Sequence, residues 1–420
     1  MNDKNERRHP MNKKNLVKIL GIDKEFNLEN VNELDEKTVI MEVERKRKIK
    51  CRNCGSRRKT TVHDRAKKRS LRLHNTISDD KLVYINYLRH RYRCDKCGEK
   101  FMEYGFGVQR YWRFTGNMIK IFFKHMAKHG IVETGEKFGV HYKTLEKRLE
   151  EMVKEEVDWE TFKHQDTIRL GIDEHSFSGH RMVITVVELV SSTPLIILKK
   201  DTKKELKKFL NGIPWWIKRK IDEVAIDMRK RNKYAVEEEL KAVNIVADRY
   251  HVERDAQLKF DEIRRIQQEI SSQDEGKRIR IPRNIFFKKD LKRRHKAKIR
   301  YYLKKYPYLR PWYEYKNRVI TIYEQETKKE AEKHLDELIK DLNDENDRDF
   351  NRWAKRLTVW KEEILNYYDN RTTIAKVEGY HNPIKLLKRI SFGFKDVNLY
   401  VKKIMLGLVP QHVLCIEPNF

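Results

Sequence analysis

The spacing of apolar positions in the middle of the chain is typical of short β-strands. Three apolar runs, TIRLGIDEHSF, HRMVITVVELV and TPLIILKK, follow one another from residue 167 with short polar breaks between them. This pattern predicts three consecutive strands in an antiparallel meander. A segment with helical periodicity, TKKELKKFLNGI, comes next, and Thr202 is placed to cap its first turn.

Strand and helix patterns then alternate. EVAIDM predicts a buried strand, NKYAVEEELKAV predicts a helix, and NIVADRYH predicts a further strand. Three antiparallel strands followed by alternating helices and strands form a mixed sheet with helices on both faces. We therefore predict an α/β domain with a ribonuclease H-like mixed sheet.

From about residue 252 to residue 370 the pattern is helical, and this span is far longer than the sheet requires. It predicts a large helical insertion in the α/β domain. Its charged runs interleave Lys and Arg with Tyr and Trp, a combination that can grip a phosphate backbone and stack on bases. We expect most of these aromatic residues, including Trp353 and Trp360, to form the core of the insertion.

The chain carries a large excess of positive charge, with 94 Lys and Arg against 64 Asp and Glu in 420 residues, a formal net charge of +30. This excess indicates a polyanionic partner, and nucleic acid is favoured over a membrane surface. No apolar run approaches the roughly 20 residues that span a bilayer, and the first residues, MNDKNERRHPMNKKN, lack the apolar core of a signal peptide. We expect a soluble, cytoplasmic protein without a membrane partner.

Four of the five cysteines fall into two pairs, in CRNCG and CDKCG. Two intervening residues let both sulfurs of a turn face one ion, and strand-like stretches lie between the pairs. In a cytosolic chain this spacing favours zinc over disulfides. We predict a small β unit with one structural Zn²⁺ and four ligands: Cys51, Cys54, Cys94 and Cys97. Cys415 is assigned as an ordinary small apolar residue.

The segment VETGEKFGVHYKTLEKRLEEM, residues 132–152, has the spacing of a helix-turn-helix. Gly135 is a small residue where two helices would cross, and Gly139 lies in the turn that follows. A plain helical hairpin is the alternative, because the pattern is short. The second helix would begin near His141 and offer four side chains to a DNA groove: Tyr142, Lys143, Lys147 and Arg148.

Two carboxylates lie in or at the end of the apolar strands, Asp173 in LGIDE and Asp227 in VAIDM. A buried carboxylate without a cation is costly, so the pair indicates a bound metal, although each Asp could instead form a turn at the end of its strand. Asp248 ends the next strand and is a rival for Asp227. Structural or supporting roles are assigned to three neighbours: Glu174, His175 and His251.

The stretch RTTIAKVEGYHNPIKLLKRI, residues 371–390, holds one acid among basic charges. If it is helical, one face carries Glu378, Asn382, Lys385 and Arg389, with Lys388 beside them. The face therefore places an acid next to a strip that attracts phosphate. A solvated helix stabilised by i, i+4 charge pairs is the alternative.

The order of these motifs resembles that of DDE transposases of bacterial insertion sequences, specifically the ISL-three family. The resemblance extends from the CxxC pairs to VEGYHNPIKLLKRISFGF and covers nearly the whole chain. It implies a catalytic triad that holds two Mg²⁺ or Mn²⁺ ions: Asp173, Asp227 and Glu378. Pro383 departs from the family pattern and predicts a kink or a restart in the helix of Glu378.

The resemblance further implies a transposase that binds the terminal inverted repeats of its own element as a homodimer or higher oligomer, and that cleaves and joins double-stranded DNA. Lys385, Lys388 and Arg389 would hold phosphates beside the cleaved bond. A non-catalytic DNA-binding regulator and a metal-dependent nuclease without strand transfer are the alternatives. The predicted domains are an N-terminal segment (1–45), a zinc-binding domain (46–104), a helix-turn-helix domain (105–160), a catalytic domain (161–254 and 371–420) and a helical insertion (255–370).

Overall fold

The structure, a computed structural model, describes residues 25–46, 49–56, 60–63, 69–78, 81–102, 106, 113–288 and 291–416. The chain divides into two compact units. The first consists of Met1–Lys154, Arg389–Gly393 and Ile416–Phe420, and the second of Glu155–Lys388 and Phe394–Cys415. Residues 1–24 of the predicted N-terminal segment lie outside the described residues.

The described part of the first unit contains a four-stranded and a three-stranded sheet. The larger sheet has the order β1-β2-β5-β4, formed by β1 (Phe26–Asp35), β2 (Thr38–Arg45), β4 (Arg69–Ser78) and β5 (Lys81–Arg89). The smaller has the order β3-β6-β7, formed by β3 (Thr60–Val62), β6 (Arg91–Cys94) and β7 (Lys100–Met102). No strands are predicted from the sequence for the segment that forms the β1–β2 hairpin. Its apolar and polar residues alternate only over a short distance, and charged residues interrupt the pattern.

Three helices follow in the first unit: α1 (Gly116–Lys128), α2 (Ile131–Phe138) and α3 (Tyr142–Met152). Helix α2 ends at Gly139, whose φ of 63° lies in the left-handed region that favours glycine. A Cβ on Gly135 would lie 2.5 Å from the carbonyl oxygen of Val140, so only glycine allows the chain to turn this closely over α2. The turn at Gly139 and the close approach at Gly135 therefore fall at the two glycines that the sequence predicts for them.

The second unit is built on a five-stranded mixed sheet with the order β11-β10-β9-β12-β13. Its strands are β9 (Ile168–Ser178), β10 (Arg181–Glu188), β11 (Thr193–Leu198), β12 (Ile221–Ile226) and β13 (Asn244–Ala247). Strands β9, β10 and β11 are antiparallel neighbours, whereas β12 is parallel to β9 and to β13. The predicted meander and the alternation that follows it are both confirmed. Two short strands lie outside this sheet, β8 (Val153–Val157) and β14 (Leu414–Ile416).

Helices α4 (Lys203–Gly212), α5 (Trp215–Lys218) and α6 (Lys230–Glu239) connect the sheet strands. Thr202 caps α4 as predicted, because its hydroxyl accepts a hydrogen bond from the backbone N–H of Glu205 at 3.3 Å. The long span before residue 371 is helical as predicted, with α7 (Arg249–Asp274), α8 (Arg283–Phe286), α9 (Arg293–Lys305), α10 (Leu309–Thr321), α11 (Lys328–Asp344), α12 (Arg348–Val359), α13 (Lys361–Leu365) and α14 (Tyr367–Asn370). The chain then forms α15 (Ala375–Ile390) and α16 (Val397–Leu408).

The strand predicted over NIVADRYH is too long, because β13 ends at Ala247 and Asp248 begins a helix. The carboxylate of Asp248 accepts a hydrogen bond from the backbone N–H of His251 at 3.2 Å and so caps α7. Asp is among the preferred residues at this position because it satisfies an N–H that the helix leaves open. The last three residues of the predicted strand therefore lie in the first turn of α7, and Asp248 is the cap before it.

The aromatic residues of the insertion divide between core and surface. Trp353 and Trp360 are buried, each with 1% of its surface exposed, as predicted. Trp312 stacks on Trp353 with ring centroids 6.0 Å apart. Tyr301 and Tyr308 are more than half exposed. The core assignment is thus correct for the tryptophans, while the two tyrosines remain accessible to a partner.

Candidate functional site

Two of the predicted carboxylates lie side by side on neighbouring parallel strands. Ile172 of β9 is paired with Ile226 of β12, and Asp173 and Asp227 are the next residues along the two strands. Both are buried, with 7% and 6% of their surface exposed. The parallel register therefore brings the two acids together, with Asp173 in the middle of β9 and Asp227 directly after the end of β12.

Helix α15 brings the third predicted acid, Glu378, to the same place. The helix is continuous from Ala375 to Ile390 with Pro383 inside it, so it does not restart at the proline. A Cβ on Gly171 of β9 would lie 2.7 Å from the Cγ2 of Val377, which shows how closely α15 lies on the strand. One carboxylate oxygen each of Asp173 and Glu378 and a ring nitrogen of His251 lie within 4.8 Å of one another.

Two imidazoles flank Asp173. His251 Nε2 is 3.9 Å from Asp173 Oδ1, and His381 Nδ1 is 3.8 Å from Asp173 Oδ2. His251 is one of the residues predicted to have a structural or supporting role, whereas His381 is not among the predicted site residues. Spacing could have found His381, because it follows Glu378 by three residues and shares its helical face.

Burial makes the acids of this cluster easy to protonate. It raises the pKa of Asp173 to about 7 despite the attraction of His251, and burial together with Glu174 raises the pKa of Asp227 to about 6. Burial also raises the pKa of Glu378. Burial alone would lower the pKa of His251, but its carboxylate neighbours raise it overall. A divalent cation would relieve this crowding of buried negative charge, and the carboxylate oxygens are donors that suit one.

The carboxylate of Asp227 is held by a small charged network. Arg229 Nε lies 2.7 Å from its Oδ2, and Asn232 Nδ2 donates to its Oδ1 at 3.1 Å. Glu174 binds the same Arg229 at 2.6 Å and Arg231 at 3.0 Å. Glu174 therefore holds Arg229 beside Asp227, and it also binds Arg231.

Asp248 differs from Asp227 in what its two oxygens contact. Its Oδ1 accepts the backbone N–H of Ile374 at 2.8 Å, and its Oδ2 accepts the N–H of His251 and lies 3.1 Å from Nδ1 of the same residue. Both oxygens are thus engaged with the backbone or with His251. His175 is likewise structural, because its ring nitrogens contact Tyr400 and Thr185.

The basic residues of α15 are not equivalent. Lys385 is exposed. Burial of His381, together with the positive charge of Lys385, lowers the pKa of His381 to about 4. Lys388 is half-buried and donates a hydrogen bond to the backbone carbonyl of Phe177. Arg389 is exposed and belongs to the first unit. Of the two predicted phosphate contacts in the second unit, Lys385 is therefore the better placed.

The four predicted zinc ligands converge in the first unit. Cys51 Sγ is 3.5 Å from Cys97 Sγ, and Cys54 Sγ is 3.5 Å from Cys94 Sγ. All four sulfur atoms lie within 4.8 Å of one another. Sulfurs at about 2.3 Å from a tetrahedral zinc are about 3.8 Å apart, so the cluster fits the ion. The two turns are alike, because in each the glycine after the second cysteine has a positive φ, 70° at position 55 and 75° at position 98.

The side chains predicted for a DNA groove lie along α3. Lys143 and Lys147 are exposed and Tyr142 is half-buried. The side chain of Arg148 is only 12% exposed and pairs with Glu151. Both lysines and Tyr142 are therefore accessible to a partner. Lys147 Nζ also lies 3.9 Å from Glu151, the acid with which the mostly buried Arg148 pairs.

These features define an α/β protein with a buried cluster of carboxylates and a separate four-cysteine site. The family model for DDE transposases of the ISL-three (ISL3) group, described as Transposase, matches residues 170–404. Because this span is more than half of the chain, the chain belongs to the ISL3 family of DDE transposases, as the resemblance implied. It is also similar to the transposase for insertion sequence element IS1001 of Bordetella parapertussis, with 24% identity over 364 residues that cover 84% of this chain and 87% of that protein.

Within the part of the chain that the structure describes, none of the helices combines the length and the apolar character needed to cross a membrane.

Proposed function

We propose that the protein binds the terminal inverted repeats of its own insertion sequence and catalyses metal-dependent cleavage and strand transfer of DNA. One observation carries this proposal: Glu378 and Asp173, far apart in the sequence, have carboxylate oxygens within 4.8 Å of each other and of a ring nitrogen of His251. A glutamate that only faced solvent on a helix would not be expected to lie next to a buried carboxylate, because the two negative charges repel each other. Membership in a transposase family supports the same reading.

The strand arrangement supports a ribonuclease H-like catalytic domain. Three antiparallel strands occupy one side of the sheet, and two strands parallel to the first of them occupy the other. Asp173 lies on the central strand β9, and Asp227 follows the neighbouring β12. Asp227 thus lies at the carboxyl end of β12, the kind of position at which α/β proteins commonly bind ligands, and Asp173 lies beside it.

Asp173, Asp227 and Glu378 would hold two Mg²⁺ or Mn²⁺ ions, because hard cations prefer carboxylate oxygens. Such ions stabilise the charge on the attacking and leaving oxygens of a phosphodiester. Around them, Glu174 keeps Arg229 in place and Lys385 remains exposed, so the chain offers positive charge to the phosphates next to the site.

Binding of the element ends is assigned to the four-cysteine unit and to the helix pair α2 and α3. A zinc ion held by four thiolates has no open position and would act by fixing the fold of its unit. Lys143 and Lys147 would contact phosphates, and Tyr142 a groove edge. A homodimer or higher oligomer on DNA and the predicted domain boundaries remain predictions.

The test is Mg²⁺-dependent nicking and joining of a labelled element end by purified protein. We expect Glu378→Gln and Asp173→Asn to bind the DNA normally but to lose both reactions, because each removes a charged ligand. Asp166→Asn, at an exposed acid of the same unit, is the matched control and should keep full activity. Near-normal nicking by Glu378→Gln would refute the triad.

The same assay separates the alternatives. Wild-type protein that binds element ends without cutting them would be a regulator, and protein that nicks without joining a labelled 3′-OH end would be a nuclease. We propose Asp227 as the second aspartate ligand, because the strand register puts it beside Asp173, whereas Asp248 caps α7 and accepts the backbone N–H of Ile374. Loss of nicking in Asp248→Asn, with full nicking in Asp227→Asn, would move that ligand to Asp248.

A further inference from the structure

A second group of metal-binding side chains lies where α1 meets α2. One ligand atom each from His125, His129 and Glu133 lies within 4.8 Å of the other two. The two imidazole rings are stacked, with centroids 4.1 Å apart. We propose that these three side chains form a metal site, distinct from the four cysteines, for Zn²⁺ or a similar borderline divalent transition-metal ion.

Hydrogen bonds fix which nitrogen of His125 is available. The hydroxyl of Thr134 donates to the backbone carbonyl of Gly130 at 2.8 Å. A hydroxyl has one hydrogen, so the same oxygen must accept from His125 Nδ1, which lies 3.0 Å away. Nδ1 therefore carries the proton and Nε2 keeps a free lone pair. A metal-binding histidine has this arrangement, since the bond at one nitrogen orients the other towards the ion.

His129 and Glu133 already face each other. His129 Nδ1 lies 2.8 Å from the carboxylate of Glu133, which can only accept, so without an ion Nδ1 donates a proton to it. A divalent ion can replace that proton, because metal binding requires a deprotonated nitrogen. Both side chains are accessible to an ion from solution, with 43% of His129 and 54% of Glu133 exposed. The carboxylate oxygen of Glu133 and Nδ1 of His129 would then both bind the ion, together with Nε2 of His125.

The positions of the donors indicate what the ion would do. His125 lies in the last turn of α1, His129 is its C-cap, and Glu133 lies in the first turn of α2. An ion bound by all three would cross-link two consecutive helices of the first unit. Two imidazoles and a carboxylate suit zinc and leave its fourth position to water.

The competing explanation is that the stacked rings and their hydrogen bonds only stabilise the turn between the helices. His129→Gln distinguishes the two, because Gln can still donate to Glu133 but does not replace the imidazole as a zinc ligand. His164→Ala removes an exposed histidine elsewhere and is the matched control. Circular dichroism would verify that both variants fold.

The experiment is equilibrium dialysis of the full chain against micromolar free Zn²⁺, followed by elemental analysis. We expect two zinc ions per chain for the wild type and for His164→Ala, and one for His129→Gln. Titration with Co²⁺ gives a second readout, because only the four-cysteine ion produces thiolate charge-transfer absorption. A wild type that saturates at one ion, or a His129→Gln protein that still binds two, would overturn the proposal.

Discussion

Replacing Gly171 by Ala tests how closely helix α15 must lie on the sheet for the acids to act together. A Cβ at this position would lie 2.7 Å from Val377 Cγ2 and 2.7 Å from Leu189 Cδ2. Carbon atoms in contact prefer about 3.5–4.0 Å, so each contact would be too short by roughly 1 Å. Gly171 precedes Asp173 by two residues and Val377 precedes Glu378, so this contact sets the distance between the two acids.

The two neighbours differ in how easily they can give way. Leu189 can turn the end of its side chain, whereas Val377 is fully buried and its β-branched side chain has one favoured rotamer in a helix. Part of the displacement must therefore be taken up by α15. Overpacking of this kind costs about 1–3 kcal/mol of stability, and a 1 Å misplacement of a catalytic group can cost about 10²-fold in rate. We expect Gly171→Ala to fold, to be destabilised within that range, and to nick DNA about 10- to 100-fold more slowly.

Urea unfolding and single-turnover nicking of a labelled element end would measure both effects. Val377→Ala removes the methyl group that collides, so the double variant Gly171→Ala/Val377→Ala should recover much of the lost rate. Gly212→Ala adds the same methyl group where nothing lies within 4 Å and should keep the wild-type rate. The reasoning is refuted if Gly171→Ala nicks at the wild-type rate, or if the double variant is no faster than Gly171→Ala alone.

Three further variants probe other parts of the structure. Asp248→Asn leaves one accepting oxygen where Asp248 uses two, for the N–H groups of Ile374 and His251, so it should cost about 1–3 kcal/mol in urea unfolding while the folded protein still nicks DNA. Lys403 is fully buried and its Nζ has no hydrogen-bond partner within the described residues, and burial lowers its pKa from 10.5 to about 8. Its charge therefore destabilises the folded state fully below pH 8, and this effect is lost above pH 10.5. The free energy of unfolding should rise on Lys403→Met by about 3 kcal/mol more at pH 7 than at pH 10.5. The same substitution at the exposed Lys395 should not change the free energy of unfolding at either pH. Lys143→Ala should reduce the slope of log affinity against log salt by about 1 in gel-shift titrations, and Arg148→Ala should leave that slope unchanged.

The parts of the site that follow from local patterns could be predicted from the sequence. Asp173 and Asp227 each terminate or interrupt an apolar run, and the pairing of parallel strands then places them together without any information about side chains. Likewise, two CxxCG turns contain the geometry of their own cluster, because a glycine with positive φ follows each pair. In both cases the relevant spacing is only a few residues long.

The parts that depend on contacts between distant segments could not be predicted. The role of Gly171 is visible only when Val377 lies over it, and that contact joins a strand to a helix at the far end of the unit. Arg148 has the spacing of a groove contact, but whether it is free depends on its pairing with Glu151 and on its burial. His381 approaches Asp173 only because α15 crosses β9.

The anchoring of the helical insertion explains how a long insertion leaves the site intact. Asp248 begins α7, the first helix of the insertion, and also accepts the backbone N–H of Ile374, which directly precedes α15. Glu223 of β12 accepts hydrogen bonds from Asn370 at 2.6 Å and from the hydroxyl of Thr372. The chain therefore leaves the sheet and returns to it at the same two strands, so the position of α15 is set by the sheet. Under the proposed assignment of Asp227 as the second ligand, Asp248 closes the base of the insertion and holds the start of the helix that carries Glu378.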